Sequence, residues 1–157
     1  MQEILNRLIS TPLGIAVFSV SLWCFVCFVI SIISGWFALS RRFRKESDPL
    51  GETRTAGPWF YTIYMRFWGH YSSVIRLTAT QDALFASVLP PFRVGHPPLR
   101  IPWNEITFGR TKYFFRRYIV LTLGNEERIP MRVSERMSLK LGLLERFPAA
   151  ANALSSR

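Results

Sequence analysis

From Leu8 to Ser40 the chain carries no Asp, Glu, Lys or Arg, and that run limits its fold more than any other feature. A bilayer-crossing helix needs roughly 20 predominantly apolar residues, and LGIAVFSVSLWCFVCFVISIISGWFAL, Leu13 to Leu39, is long enough. Thr11 before Pro12 suits a helix start, because proline at the first helical position gives up an amide hydrogen that would have had no partner. A transmembrane helix is therefore expected over residues 12–40, after a short non-cytoplasmic N-terminus, with Trp36 and Phe37 at headgroup level. A cleaved signal sequence would have an apolar region of about 7–15 residues, with positive charge ahead of it and a small-residue cleavage site behind. Here the order is reversed. RRFRK follows the run, with Arg41, Arg42, Arg44 and Lys45, against Glu3 and Arg7 before it. The positive-inside rule then makes the C-terminal part cytoplasmic.

The formal net charge is +10, and from Arg41 onward there are 19 basic and 9 acidic residues. A basic domain tethered beside a bilayer is drawn to its anionic lipids, by about 1 kcal/mol for each Lys or Arg near the surface. Anionic lipid is thus an expected partner. Nucleic acid is not, because no recognition motif accompanies the charge. Cys24 and Cys27 form a CxxC inside the apolar run, where they share one helix face and behave as small apolar side chains. Ser31 and Gly35 make a small-xxx-small pair, a weak signal for a homodimer through the membrane helix.

Residues 41–58 are expected to be a basic juxtamembrane linker, since ESDPLGETRTAGP is polar and broken by proline and glycine. The domain proper is expected over 59–148, with a tail from 149 to 157. WFYTIYMRFWGHY reads either as a buried first strand, the favoured choice, or as an interfacial helix with Phe60, Tyr64, Phe67 and Tyr71 in register. Ser73–Ala79 and Ala83–Leu89 flank the polar TQD as a hairpin. KYFFRRYIVLTL is rich in strand formers, and in RIPMRVS the residues Ile129, Met131 and Val133 alternate with polar ones. Pro130 lacks an amide hydrogen, which points to an edge strand or a bulge. Ser134 then caps an amphipathic helix ended by Pro148, with Met137, Leu139, Leu141, Leu143, Leu144 and Phe147 inward and Ser138 and Gly142 outward. The class is α+β: a transmembrane helix, a mainly antiparallel β domain and a C-terminal helix.

FRVGHPPLRIPW, Phe92 to Trp103, is the most unusual stretch. Gly95 suits a sharp turn, and Pro97-Pro98 forces an extended path. Leu99, Ile101 and Trp103 are expected in the core, with His96 hydrogen-bonded to the loop backbone. No GxSxG elbow, HExxH pair, Walker loop or dinucleotide fingerprint occurs, so neither enzymatic activity nor a cofactor or metal is expected. A binding surface is expected instead. Its candidate residues are Arg110, Lys112, Arg116 and Arg117 around the aromatic Tyr113 to Phe115, together with Arg93, His96 and Arg100 of the proline-rich loop. The leading expectation is docking of a protein partner at the membrane, with anionic lipid binding as the alternative.

The strand series closed by one helix is similar to the pleckstrin-homology-like barrel and its GRAM-type relatives. FRVGHPPLRIPWNEI, with SGWFALSRRF upstream, resembles a family of uncharacterised single-span bacterial membrane proteins with the signature FRxGHPPLxIPWxEI. That resemblance implies a bacterial inner membrane and brings no assigned ligand or catalytic residue.

Overall fold

The computed structural model describes residues 11–45, 53–57, 62–66, 69–113 and 116–148, with side chains other than those of residues 110–117. Helix α1 runs Pro12–Ser34, 23 residues capped by the Thr11 hydroxyl, which accepts from Gly14 N at 3.2 Å. It is long and apolar enough to cross a membrane, with a mean hydropathy of 2.6 over its best window. Gly35 ends it in the left-handed region at φ 83, where an added Cβ would lie 2.5 Å from Ile129 Cδ1.

The chain turns there into a second helix, α2, Trp36–Phe43. This corrects the expected span of residues 12–40. Trp36, Leu39 and Phe43 recur at helical spacing and are buried in the protein core. Phe37 is exposed. Trp36 is therefore a core residue and not a headgroup-level ring, because the Gly35 turn aims its face at the strands.

Two antiparallel sheets follow. The first contains β1 (Arg54–Ala56), β4 (Ile75–Ala79), β5 (Ala83–Val88) and β6 (Leu99–Pro102), in the order β1-β4-β5-β6. The second contains β2 (Thr62–Met65), β3 (Gly69–Ser72), β7 (Ile106–Tyr113), β8 (Arg116–Leu123) and β9 (Ile129–Ser134), in the order β3-β2-β9-β8-β7. Among the described residues no strand pairing joins the sheets, so the expected barrel does not close. Leu77, Leu84 and Ile101 from one sheet and Ile63, Leu121, Ile129 and Met131 from the other share one apolar core. The expected β4–β5 hairpin forms, with Ala79 opposite Leu84.

Two local expectations change, and the strand reading of the aromatic run holds in the described residues. Residues 54–56, read as linker, form β1 along β4, with Ala56 fully buried. The aromatic run forms the strands β2 and β3, while Phe60 and Phe67 lie outside the described residues. Strand β9 is interior, between β2 and β8, despite Pro130. Amide and carbonyl of one strand residue point to the same side, and the Pro130 carbonyl accepts from Arg66 N at 3.0 Å, just past the end of β2. The missing amide hydrogen therefore faces a place where the ladder has already stopped.

The C-terminal helix is two pieces, α3 (Glu135–Lys140) and α4 (Leu143–Arg146), broken at Gly142 with φ 67. Ser134 Oγ caps α3, accepting from Met137 N at 3.4 Å. Met137, Leu141 and Leu143 are buried as expected, but within α3 the expected faces are exchanged at two positions: Ser138 is buried and Leu139 is exposed.

Candidate membrane-facing site

The site is the seam between α1 and the loop that joins β5 to β6. Small residues let the two backbones approach closely. A Cβ added to Gly95 would lie 3.2 Å from Phe28 Cα and from Ser31 Cβ, and one added to Gly69 would lie 2.7 Å from Ser34 Cβ. The Ser31 hydroxyl donates to the Gly95 carbonyl. Trp36 Nε1 donates to Pro97 O and Trp23 Nε1 to Pro91 O, each at 2.9 Å. Ser31 thus receives the protein's own loop, and Gly35 lies close against Ile129 of β9.

His96 lies at the centre of the seam, 2% exposed. This corrects its placement on an interaction surface and bears out its bond to the loop backbone, since Nδ1 is 2.9 Å from Val94 O. A carbonyl only accepts, so Nδ1 carries the ring proton, and Nε2 of the neutral ring faces the Tyr71 hydroxyl at 2.8 Å. That hydroxyl is also 2.8 Å from Ser34 Oγ. Burial lowers the His96 pKa below its usual 6.5, against the opposing hydrogen bonds to the Val94 and Phe92 backbone. Burial pushes Tyr71 up to about 12, with the Ser34 bond opposing. Both groups are neutral at pH 7.

A pH dependence follows from His96. With its folded pKa below the unfolded value, the native state binds fewer protons in the interval between them. The stabilisation is complete above about pH 6.5 and declines as the pH falls through that interval. Asp82, whose pKa is also lowered, acts only below its usual 3.8. Thermal melting of the full chain in detergent should decline from neutral pH toward about pH 5, and His96→Gln should flatten that decline. An equal slope in both proteins would assign the effect elsewhere.

Basic residues gather at the C-terminal end of α2. Arg41, Arg42, Arg44 and Lys45 follow the seam, Arg44 bridging Leu99 and Lys45 N donating to Pro98 O at 3.0 Å. Arg42 is committed to the domain: its guanidinium is 2.7 Å from Glu105 and 3.6 Å from Glu126. Arg44 and exposed Arg93 line a groove of about 560 Å³ with Phe28, Phe37, Ser40 and the loop residues Gly95, Pro97 and Pro98. The Phe28 and Phe37 rings meet edge to face at 5.8 Å. The groove therefore combines aromatic and basic lining residues, which matches an amphiphile with an anionic head. A larger groove of about 640 Å³ lies between β1 and α4. There Arg54 pairs with Glu145 at 2.8 Å, and Arg146 donates to the carbonyls of Gln81 and Thr80.

The remaining sequence candidates are scattered. Arg100 is half-buried and paired with Asp82. The β7–β8 hairpin sets Lys112 opposite Arg117 and Tyr113 opposite Arg116, while the side chains of Arg110, Lys112, Arg116 and Arg117 lie outside the described ones. Trp103 sits at the margin of the core and not within it, its ring 6.0 Å from Phe147 and 4.6 Å from the Arg146 guanidinium carbon. Sequence reasoning missed Phe28, Ser34 and Tyr71 as parts of this seam, and read Ser31 for a different contact. Ser31 and Ser34, polar side chains three apart in an apolar run, were the available signal.

No family model, curated protein or solved structure matches the chain. Its functional reading rests on its own geometry.

Proposed function

We propose that this chain is a single-span protein of a bacterial inner membrane whose cytoplasmic domain, of pleckstrin-homology-like type, binds anionic phospholipid where the helix meets the membrane surface. The observation that carries this is the groove in which exposed Arg93 stands beside Phe28 and Phe37. Phosphate oxygens would lie on the Arg93 guanidinium and the acyl chain on the rings. The seam itself supports a retained anchor over a signal sequence, since cleavage after α1 would strip Ser31 from Gly95 and Ser34 from Tyr71.

The test uses the full chain in nonionic detergent with short-chain phosphatidylglycerol and, as control, phosphatidylcholine. Charge-assisted hydrogen bonds contribute about 1.5–3 kcal/mol, so Arg93→Glu should weaken phosphatidylglycerol binding about tenfold or more. Its melting should be unchanged, because Arg93 is exposed. Binding that ignores headgroup charge, salt and this substitution would overturn the reading.

A second reading, docking of a protein partner, is favoured by β7. This strand is eight residues long and forms the outer edge of the five-stranded sheet. Its sequence, ITFGRTKY, would suit an acidic extended segment added to the edge. Capture of such a peptide insensitive to Arg93→Glu would support that reading.

A further inference from the structure

The proline-rich loop runs along α1 instead of touching it at one point. Trp36 meets Pro97, Ser31 meets Gly95, and Trp23 meets Pro91, so the loop follows the helix from its C-terminal end to its middle. At 1.5 Å per residue, a helix of 23 residues is about 34 Å long, against a hydrocarbon core of about 30 Å. Trp23 lies midway between Pro12 and Ser34, about 16 Å from either end. Long helical side chains lean toward the N-terminus, so the Pro91 contact is at least that deep. The helix exceeds the core by only about 4 Å. It cannot slide outward far enough to return the loop tip to water and still reach the opposite face.

We infer that the loop from Leu89 to Pro98 is embedded in the acyl layer of the leaflet beside the domain, as a wedge held against α1. The inference rests on the reading of α1 as a membrane span. It also answers why this segment is so rich in proline. Non-helical backbone persists at membrane depth only where its polar groups are met within the protein. Pro90, Pro91, Pro97 and Pro98 have no amide hydrogen to satisfy. The amides of Phe92, Arg93 and His96 donate to the carbonyls of Leu89, Pro90 and Arg93. The carbonyls of Pro91, Gly95 and Pro97 are taken by the two tryptophans and the serine of the helices, and that of Val94 by His96. Pro90, Pro91 and Val94 are exposed, offering an apolar outer surface. Arg93 is the one charged side chain in the loop. It lines the same groove as Ser40 and Arg44, so its long stem reaches toward the headgroups, as basic side chains do near an interface.

Spin-label accessibility tests this in the full chain, reconstituted into phosphatidylethanolamine and phosphatidylglycerol vesicles. In a Cys24→Ala, Cys27→Ala background whose melting matches the parent, nitroxides are attached at Val17→Cys, Val94→Cys and Gln81→Cys. Val17 lies on α1, and Gln81 is exposed at the far end of β5, roughly 20 Å from the loop along the strand. The ratio of oxygen to water-soluble nickel-complex collisions should be several-fold higher at Val94 than at Gln81 and comparable with Val17. Without any cysteine change, benzoylphenylalanine in place of Phe92 should crosslink to lipid acyl chains. A lipid signature at Val17 with a water signature at Val94, and no acyl crosslink from position 92, would overturn the wedge and leave the anchor standing. Water signatures at both would overturn the membrane span and the wedge together.

Discussion

Trp36→Ala is expected to lower the stability of the full chain by about 3–5 kcal/mol, the usual cost of removing a fully buried large aromatic ring. Trp36 is 1% exposed, and its indole nitrogen holds Pro97. Its ring lies 5.5 Å from His96 and 6.1 Å from Tyr71. The loss takes a large part of the roughly 5–15 kcal/mol that a domain has in total, and it falls where helix, loop and β3 converge. Trp36→Phe keeps most of the packing but strands the Pro97 carbonyl, so a smaller loss of about 1–3 kcal/mol is expected. The next residue is the control. Phe37 is 41% exposed on the opposite face, and Phe37→Ala should leave melting in detergent nearly unchanged. The reverse ranking would return Trp36 to the membrane surface and separate α2 from the core.

Gly95→Val should open the seam. The position sits at φ 73, where a β-branched residue is strained by about 1–3 kcal/mol. Its new Cβ would lie 3.2 Å from Phe28 Cα, a backbone atom that cannot swing aside. The loop must lift, breaking the Ser31 bond and exposing His96. Cys27, 4% exposed on the same stretch of helix, gives the readout: its alkylation in detergent should accelerate several-fold, with a lower melting temperature. Gly57→Val is the matched control, because nothing lies within 4 Å of its added Cβ; there a change within about 0.5 kcal/mol is expected. Unchanged Cys27 reactivity in Gly95→Val would show that loop and helix do not depend on each other.

What the sequence by itself determined is the part governed by local periodicity and length. The apolar run had to be a long helix, because its length and lack of charge suit nothing else. The β4–β5 hairpin and the alternation in β9 follow from side chains pointing to opposite faces of a strand, and the Ser134 cap from a hydroxyl three residues before an unpaired amide. The tertiary structure alone decided which apolar surface each such residue meets. A lipid tail and a protein core reward the same side chains, so Trp36 looked like an interfacial ring until the Gly35 turn aimed it at Tyr71 and His96. Ser31 looked like a dimer contact until Gly95 arrived from 64 positions away. Pro130 pointed to an edge until the end of β2 left its missing amide unneeded. Arg42 looked like a free juxtamembrane charge until the fold brought Glu105 to it across 63 positions. Such pairings depend on where distant segments cross, and the energy that selects them belongs to the assembled core and not to any window of the chain.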